Sequence, residues 1–213
     1  AIPVRVQEGG NYSYSASMQN SSDSDTEYKT LLFYDVLPYV DDTKATDSEA
    51  KRNSKWNGYL IPDSVQLKQV STSGTVNLNP SMYTVWVGPI IKKNGSYVLQ
   101  DVSILPKPAD DLMDTEKNNF YRSLYQDVNG KNSYFVKLSE LIGDHEAGRI
   151  SDAEYDRLGR GVRAIWAQMN NADTRLNKKN RMELYYEMHA PLNLPKYVGT
   201  PTTEDEKESA ASA

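Results

Sequence analysis

Hydrophobic and polar positions alternate strictly near the start of the chain. Tyr12, Tyr14, Ala16 and Met18 interleave with Ser13, Ser15, Ser17 and Gln19, a period of two that predicts a half-buried β-strand. Gly9-Gly10 before it and Asn20 to Asp25 after it are turn punctuation. Lys29 to Val36 is apolar on both faces in its middle, as a central strand between two layers is. Pro38 ends it, because proline cannot donate to a ladder. Val65 to Val70 and Met82 to Gly88 read as further strands joined by a turn-rich stretch. Ile90-Ile91 and Tyr97 to Leu99 flank Asn94-Gly95, a strong hairpin signal.

The period then changes. Pro106 to Asp111 breaks the β pattern, and Asp114 to Tyr125 places Phe120 and Leu124 on one side of a helix. Phe135, Leu138, Leu141 and Ile142 recur at helical spacing. Ser151 and Glu154 form a capping box, and Gly159 and Gly161 close the helix that follows. Alternation returns in Val162 to Met169 and Arg181 to Ala190. The pattern predicts a mainly β chain: one β-sandwich domain over residues 1–199, with a helical insertion at about 106–161. Residues 200–213 hold no large apolar side chain and set four acids (Glu204, Asp205, Glu206, Glu208) against Lys207. They read as an acidic linker or disordered tail.

Composition narrows the chemistry. Tyr 15 against Phe 3 suits half-exposed strands whose hydroxyls meet water. With no cysteine there is no disulfide, thiolate metal site or cysteine nucleophile, and two histidines are too few for a His-rich centre. The net charge is −5, and the cations Lys51, Arg52, Lys55 and Arg175, Lys178, Lys179, Arg181 form only short groups, so no nucleic-acid partner is expected. No apolar run reaches the length of a membrane span.

A family pattern lies at both ends of the chain. YSYSASMQNSS, then LLFYDVLPYVDD with its D-x-L-P corner, then RNSKW, resembles the opening of the Ig-like β-sandwich modules of Gram-positive cell-surface adhesins. VRAIWAQMNN and RMELYYEMHAP resembles their closing strands. The resemblance covers about half the chain and leaves the middle unmatched. It implies an Ig-like Greek-key sandwich and an extracellular location at the bacterial cell surface or wall. It further implies a non-enzymatic role in adhesion or as a stalk, within a longer chain and as a monomeric module. The partner would be a host or neighbouring-cell surface protein or glycan.

Many such modules carry a self-formed Lys–Asn bond promoted by a buried acid, and on that resemblance Asp35 is the candidate acid. The usual donor lysine lies on the first strand. This chain has no lysine before Lys29, and Arg5 stays charged and cannot serve. Asp41, Asp42 and Asp47 share one loop and are candidate calcium ligands, the one cofactor considered. The loop also holds Lys44, Lys51 and Arg52 and lacks a regular ligand spacing, so a solvated polar loop is the preferred reading. Gly148, Ile150, Ser151 and Glu154 match half of a calcium-binding loop, but Gly143, His145 and Ala147 fail the other half. Trp56, beside Asn57-Gly58, is the candidate ligand-binding aromatic, whereas Trp86 and Trp166 fall inside strands. His189, Glu187 and Tyr185 share a strand face without a nucleophile motif.

Two alternatives stand beside adhesion: a carbohydrate-binding sandwich, and a fragment of a secreted glycoside hydrolase. Exposed coplanar aromatics would favour the first, and two carboxylates about 5–10 Å apart in a deep cleft the second. Chain ends at opposite poles would favour a stalk. Any ligand specificity is expected in the insertion, since inserted segments on rigid scaffolds often carry it.

Overall fold

The computed structural model describes residues 6–21, 29–40, 42–44, 47–51, 56–108 and 112–192. The first half runs β1 (Asn11–Gln19), β2 (Leu32–Val36), β3 (Thr43–Lys44), β4 (Asp47–Lys51) and β5 (Tyr59–Leu60). It continues through β6 (Gln66–Ser71), β7 (Gly74–Asn77), β8 (Tyr83–Gly88), β9 (Ile90–Lys93) and β10 (Ser96–Leu99). Helix α1 (Asp114–Gln126), β11 (Val136–Lys137), α2 (Leu138–Glu146) and α3 (Asp152–Gly161) follow, and β12 (Ala164–Met169) and β13 (Arg181–His189) close the chain. The described fold is thus mainly β, with antiparallel sheets and three α-helices.

Two sheets face each other across one apolar core. The first has the order β1-β13-β6-β7, with β5 also on β13; the second has the order β11-β8-β12-β2. Leu67, Leu184, Tyr186 and Met188 of the first meet Phe33, Val85, Ile165 and Ala167 of the second. The alternation of β13 explains its place: Met182, Leu184, Tyr186 and Met188 are buried, and the residues between them are half-buried. All six residues of β12 are buried because layers cover both of its faces. The outer cover is α1, which joins Leu124 to Trp86, Ala164 and Trp166 in a second cluster. Double-sided burial in Lys29 to Val36 has the same cause. Its strand is narrower than predicted, Leu32–Val36, and sits at a sheet edge rather than in the middle. Burial on two faces reports the layers above and below a strand, not the neighbours beside it.

The predicted hairpin is present: β9 pairs with β10, and Asn94 and Gly95 both adopt positive φ (51° and 81°), as its tight turn requires. The helical region also contributes to the common core. Leu138 and Leu141 of α2 and Leu158 of α3 join the cluster between the sheets, and β11 extends the second sheet. Removing the insertion would therefore strip the core, so its role has to be tested by point substitutions.

The two ends of the described chain leave side by side. β1 and β13 pair antiparallel from Asn11 opposite His189 to Gln19 opposite Arg181. Ala190 N donates to Gly10 O at 2.9 Å, and Gly9 N to Pro191 O at 3.3 Å. At the other end of that ladder the buried Asn20 ties down the crossover between β12 and β13, its Nδ2 donating to Leu176 O at 2.8 Å.

Asp144 joins the β9–β10 hairpin to α2. Tyr97 Oη donates to its Oδ2 at 2.6 Å and Arg149 Nε to its Oδ1 at 2.6 Å, with Lys92 Nζ 3.2 Å from Oδ2. These donors, Tyr97 foremost, hold the carboxyl at about 2, below its ordinary 3.8. A depressed carboxylate stabilises the fold above its ordinary pKa, and that stability is lost as pH falls toward the depressed value. Between pH 3.8 and about 2, the wild-type melting temperature should therefore fall more steeply than that of Asp144→Asn. Parallel curves by circular dichroism would contradict this linkage.

Candidate functional site

Asp35 and Trp56, singled out for different reasons, meet in one cluster at the edge of the inter-sheet space. Asp35 lies on the inward face of β2, in register with the buried Leu31, Phe33 and Leu37. Tyr186 Oη donates to its Oδ2 at 2.8 Å. Burial, reinforced by that carboxylate, pushes the Tyr186 hydroxyl far above its ordinary pKa, so it stays a proton donor. The Tyr14 ring lies 5.8 Å from Tyr186, and Tyr12 packs edge-on to Tyr14 at 5.6 Å. The Trp56 indole N–H donates to the Tyr12 hydroxyl. Arg163 Nη1 donates to Gly58 O at 3.1 Å and Val162 O at 2.7 Å. Gly58 is required here, because a Cβ would overlap the Tyr12 hydroxyl.

On β1, Tyr12, Ala16 and Met18 pack against the core and Tyr14 on the same face stays exposed, and a phenol occupies one oxygen of Asp35. Truncation to Asp35→Ala should cost about 1–3 kcal/mol by leaving Tyr186 Oη buried without its acceptor. Adding Tyr186→Phe should recover part of that loss in denaturant titrations. Additive losses would show that the pair does not interact.

The acidic loop is only partly described. Asp42 is buried, and Lys107 Nζ lies 2.8 Å from its Oδ1 and 3.0 Å from Tyr39 Oη. Burial alone would lower the Lys107 pKa, but Asp42 and Tyr39 outweigh it and raise the value. An ammonium therefore stands beside Asp42, where a calcium ion was considered. Asp41 lies outside the described residues, and β4, which Asp47 opens, is described in backbone only. Among the described residues no three His, Asp or Glu side chains group closely enough to hold a metal ion. Gly148 takes positive φ (71°) after α2, and Ser151 Oγ accepts Glu154 N at 3.1 Å, a helix stop followed by a capped helix start.

The remaining aromatic and histidine candidates are tied to their neighbours. Trp86 and Trp166 are buried between the second sheet and α1. Tyr185 Oη donates to Glu187 at 3.0 Å, and His189 packs on Tyr59 at 4.7 Å.

A cleft of about 380 Å³ opens where α1 ends, within the small end of the range for ligand pockets, about 300–1,000 Å³. Pro106, Phe120 and Tyr134 supply apolar wall, and Ser123, Gln126, Asp127, Lys131 and Ser133 the polar rim. The wall is fixed by Tyr34, whose hydroxyl donates to Pro106 O, and whose ring lies 6.3 Å from Phe120. The rim is fixed by a widened π-turn, Asp127–Lys131, that ends in Asn132 at φ 55°. There Ser133 N donates to Asp127 Oδ2 at 3.0 Å and Asn132 N to Asp127 O at 2.8 Å. Asn129 Nδ2 bonds Tyr125 O and Gln168 Oε1, anchoring the turn to β12. Among the described residues Asp127 is the one carboxylate lining the cleft.

Comparison with family models, with curated proteins and with solved structures found no match to this chain. The cleft residues escaped the sequence reading, although 123, 126, 127 and 131 trace one polar stripe as the helix turns. All of them lie in the segment where ligand specificity was expected. No helix among the described residues is long and apolar enough to cross a membrane.

Proposed function

We infer that the chain is a non-enzymatic, ligand-binding module of a bacterial cell-surface protein, acting in adhesion. In this reading the two sheets form an Ig-like Greek-key sandwich displayed outside the cell, and the partner is a surface protein or glycan of a host or neighbouring cell. The observation that supports adhesion over a stalk role is that the start of β1 and the end of β13 lie side by side at Gly10 and Ala190. A spacer gains reach when its ends lie at opposite poles; adjacent ends hold a module out as a side branch or tip. Among the described residues of the cleft Asp127 is the one carboxylate, which supports binding over glycoside hydrolysis, a reaction that uses a pair. Asp42 is held by Lys107 in this reading.

The test is mechanical capture. Beads coated with the chain are expected to be retained under flow on surfaces bearing host-cell glycoproteins, while uncoated beads pass. Equal passage of both would sink the adhesive reading.

A further inference from the structure

The adhesive reading leaves the ligand unnamed, and the cleft at the end of α1 carries the chemistry to name its class. Phe120 and Tyr134 are half-buried and line the wall, so part of each side chain is open to the cleft. The side chains of Ser123, Gln126, Lys131 and Ser133 form no hydrogen bond or ion pair among the described residues. Asp127 uses one carboxylate oxygen on Ser133 N and leaves the other open. Donors, acceptors and hydroxyls therefore surround an aromatic wall, on the last turn of α1 and on the π-turn that follows it.

Three ligand classes can be weighed against that lining. A wholly apolar ligand would desolvate five polar side chains without pairing them, which is costly. A phosphate or other compact anion needs clustered cations, and here the one lysine stands four residues from a carboxylate. A sugar ring matches both halves of the site: an apolar C–H face for the rings, and hydroxyls that donate and accept in turn for the rim.

We propose that this cleft binds a neutral sugar residue of a cell-surface glycan. The ring stacks on Phe120 and Tyr134, and its hydroxyls bond Gln126, Asp127 and Lys131. Because the π-turn presets Asp127, little ordering cost remains to be met on binding. The proposal rests on the adhesive reading and specifies its ligand.

The test is a titration of the full chain with a panel of free neutral oligosaccharides, followed by amide NMR and calorimetry. Amide shifts are expected within residues 120–134. Gln126→Ala and Lys131→Ala are each expected to weaken binding about fivefold to tenfold, with melting temperature unchanged. Binding that both variants retain would overturn the site. No sugar binding by a chain still captured on glycoprotein surfaces stripped of their glycans would overturn the ligand class and leave adhesion standing. No capture on any surface would instead remove the adhesive reading itself.

Discussion

Trp166→Ala is expected to destabilise the chain by about 3–5 kcal/mol and to lower its melting temperature by on the order of 10 °C. The side chain is fully buried on the outer face of β12, where a two-layer protein would be wet. Its ring lies 6.0 Å from Tyr34, and its Nε1 donates to Gln168 Oε1 at 2.8 Å. Gln168 Nε2 in turn donates to Asn129 Oδ1 at 3.0 Å, inside the π-turn that shapes the cleft. The substitution should therefore loosen the cleft rim as well as open a cavity. Trp166→Phe keeps much of the volume and loses the N–H, so its loss should be smaller. A Trp166→Ala loss below about 1 kcal/mol by denaturant titration would mean that α1 does not seal this face.

That third layer marks where sequence reading stopped. Alternation in Tyr12 to Met18 and in Arg181 to His189 located β1 and β13, because one face of each meets the core and the other meets solvent. The Asn94-Gly95 hairpin and the Ser151 cap were legible for the same local reason. The short strands β5, β7 and β11 were not. Tyr59–Leu60 and Val136–Lys137 are too brief to show a period, and Gly74–Asn77 is exposed throughout and has no apolar face to reveal it. The tyrosine-rich composition suggests half-exposed strands. Tyr97 and Tyr186 are instead buried, each with its hydroxyl bonded to a carboxylate. At the candidate sites the limit was partnership. The resemblance picked Asp35 and residue type picked Trp56, but the tyrosines that engage them come from strands far off in sequence. The cleft depends on a widened turn whose hydrogen bonds no local pattern announces.

The second large effect is mechanical. When force is applied at Gly10 and Ala190, β1 and β13 are pulled from the same end of their ladder, and its bonds open one after another. When force is applied at Gln19 and Ala190, the same ladder is loaded in shear and its bonds must fail together. The absence of cysteine makes Gln19→Cys a unique handle, and Gln19 is exposed. Single-molecule pulling is expected to give a rupture force several-fold higher in the shear geometry than at Gly10 and Ala190. Equal forces would mean that the β1–β13 ladder does not gate unfolding.

The most direct measurement is capture of the fluorescent chain, wild type beside Lys131→Glu, on one array of glycans and extracellular-matrix proteins. The account predicts selective spots for the wild type that fade in the variant, while both melt at the same temperature. A blank array, or equal capture by the two proteins, would contradict it.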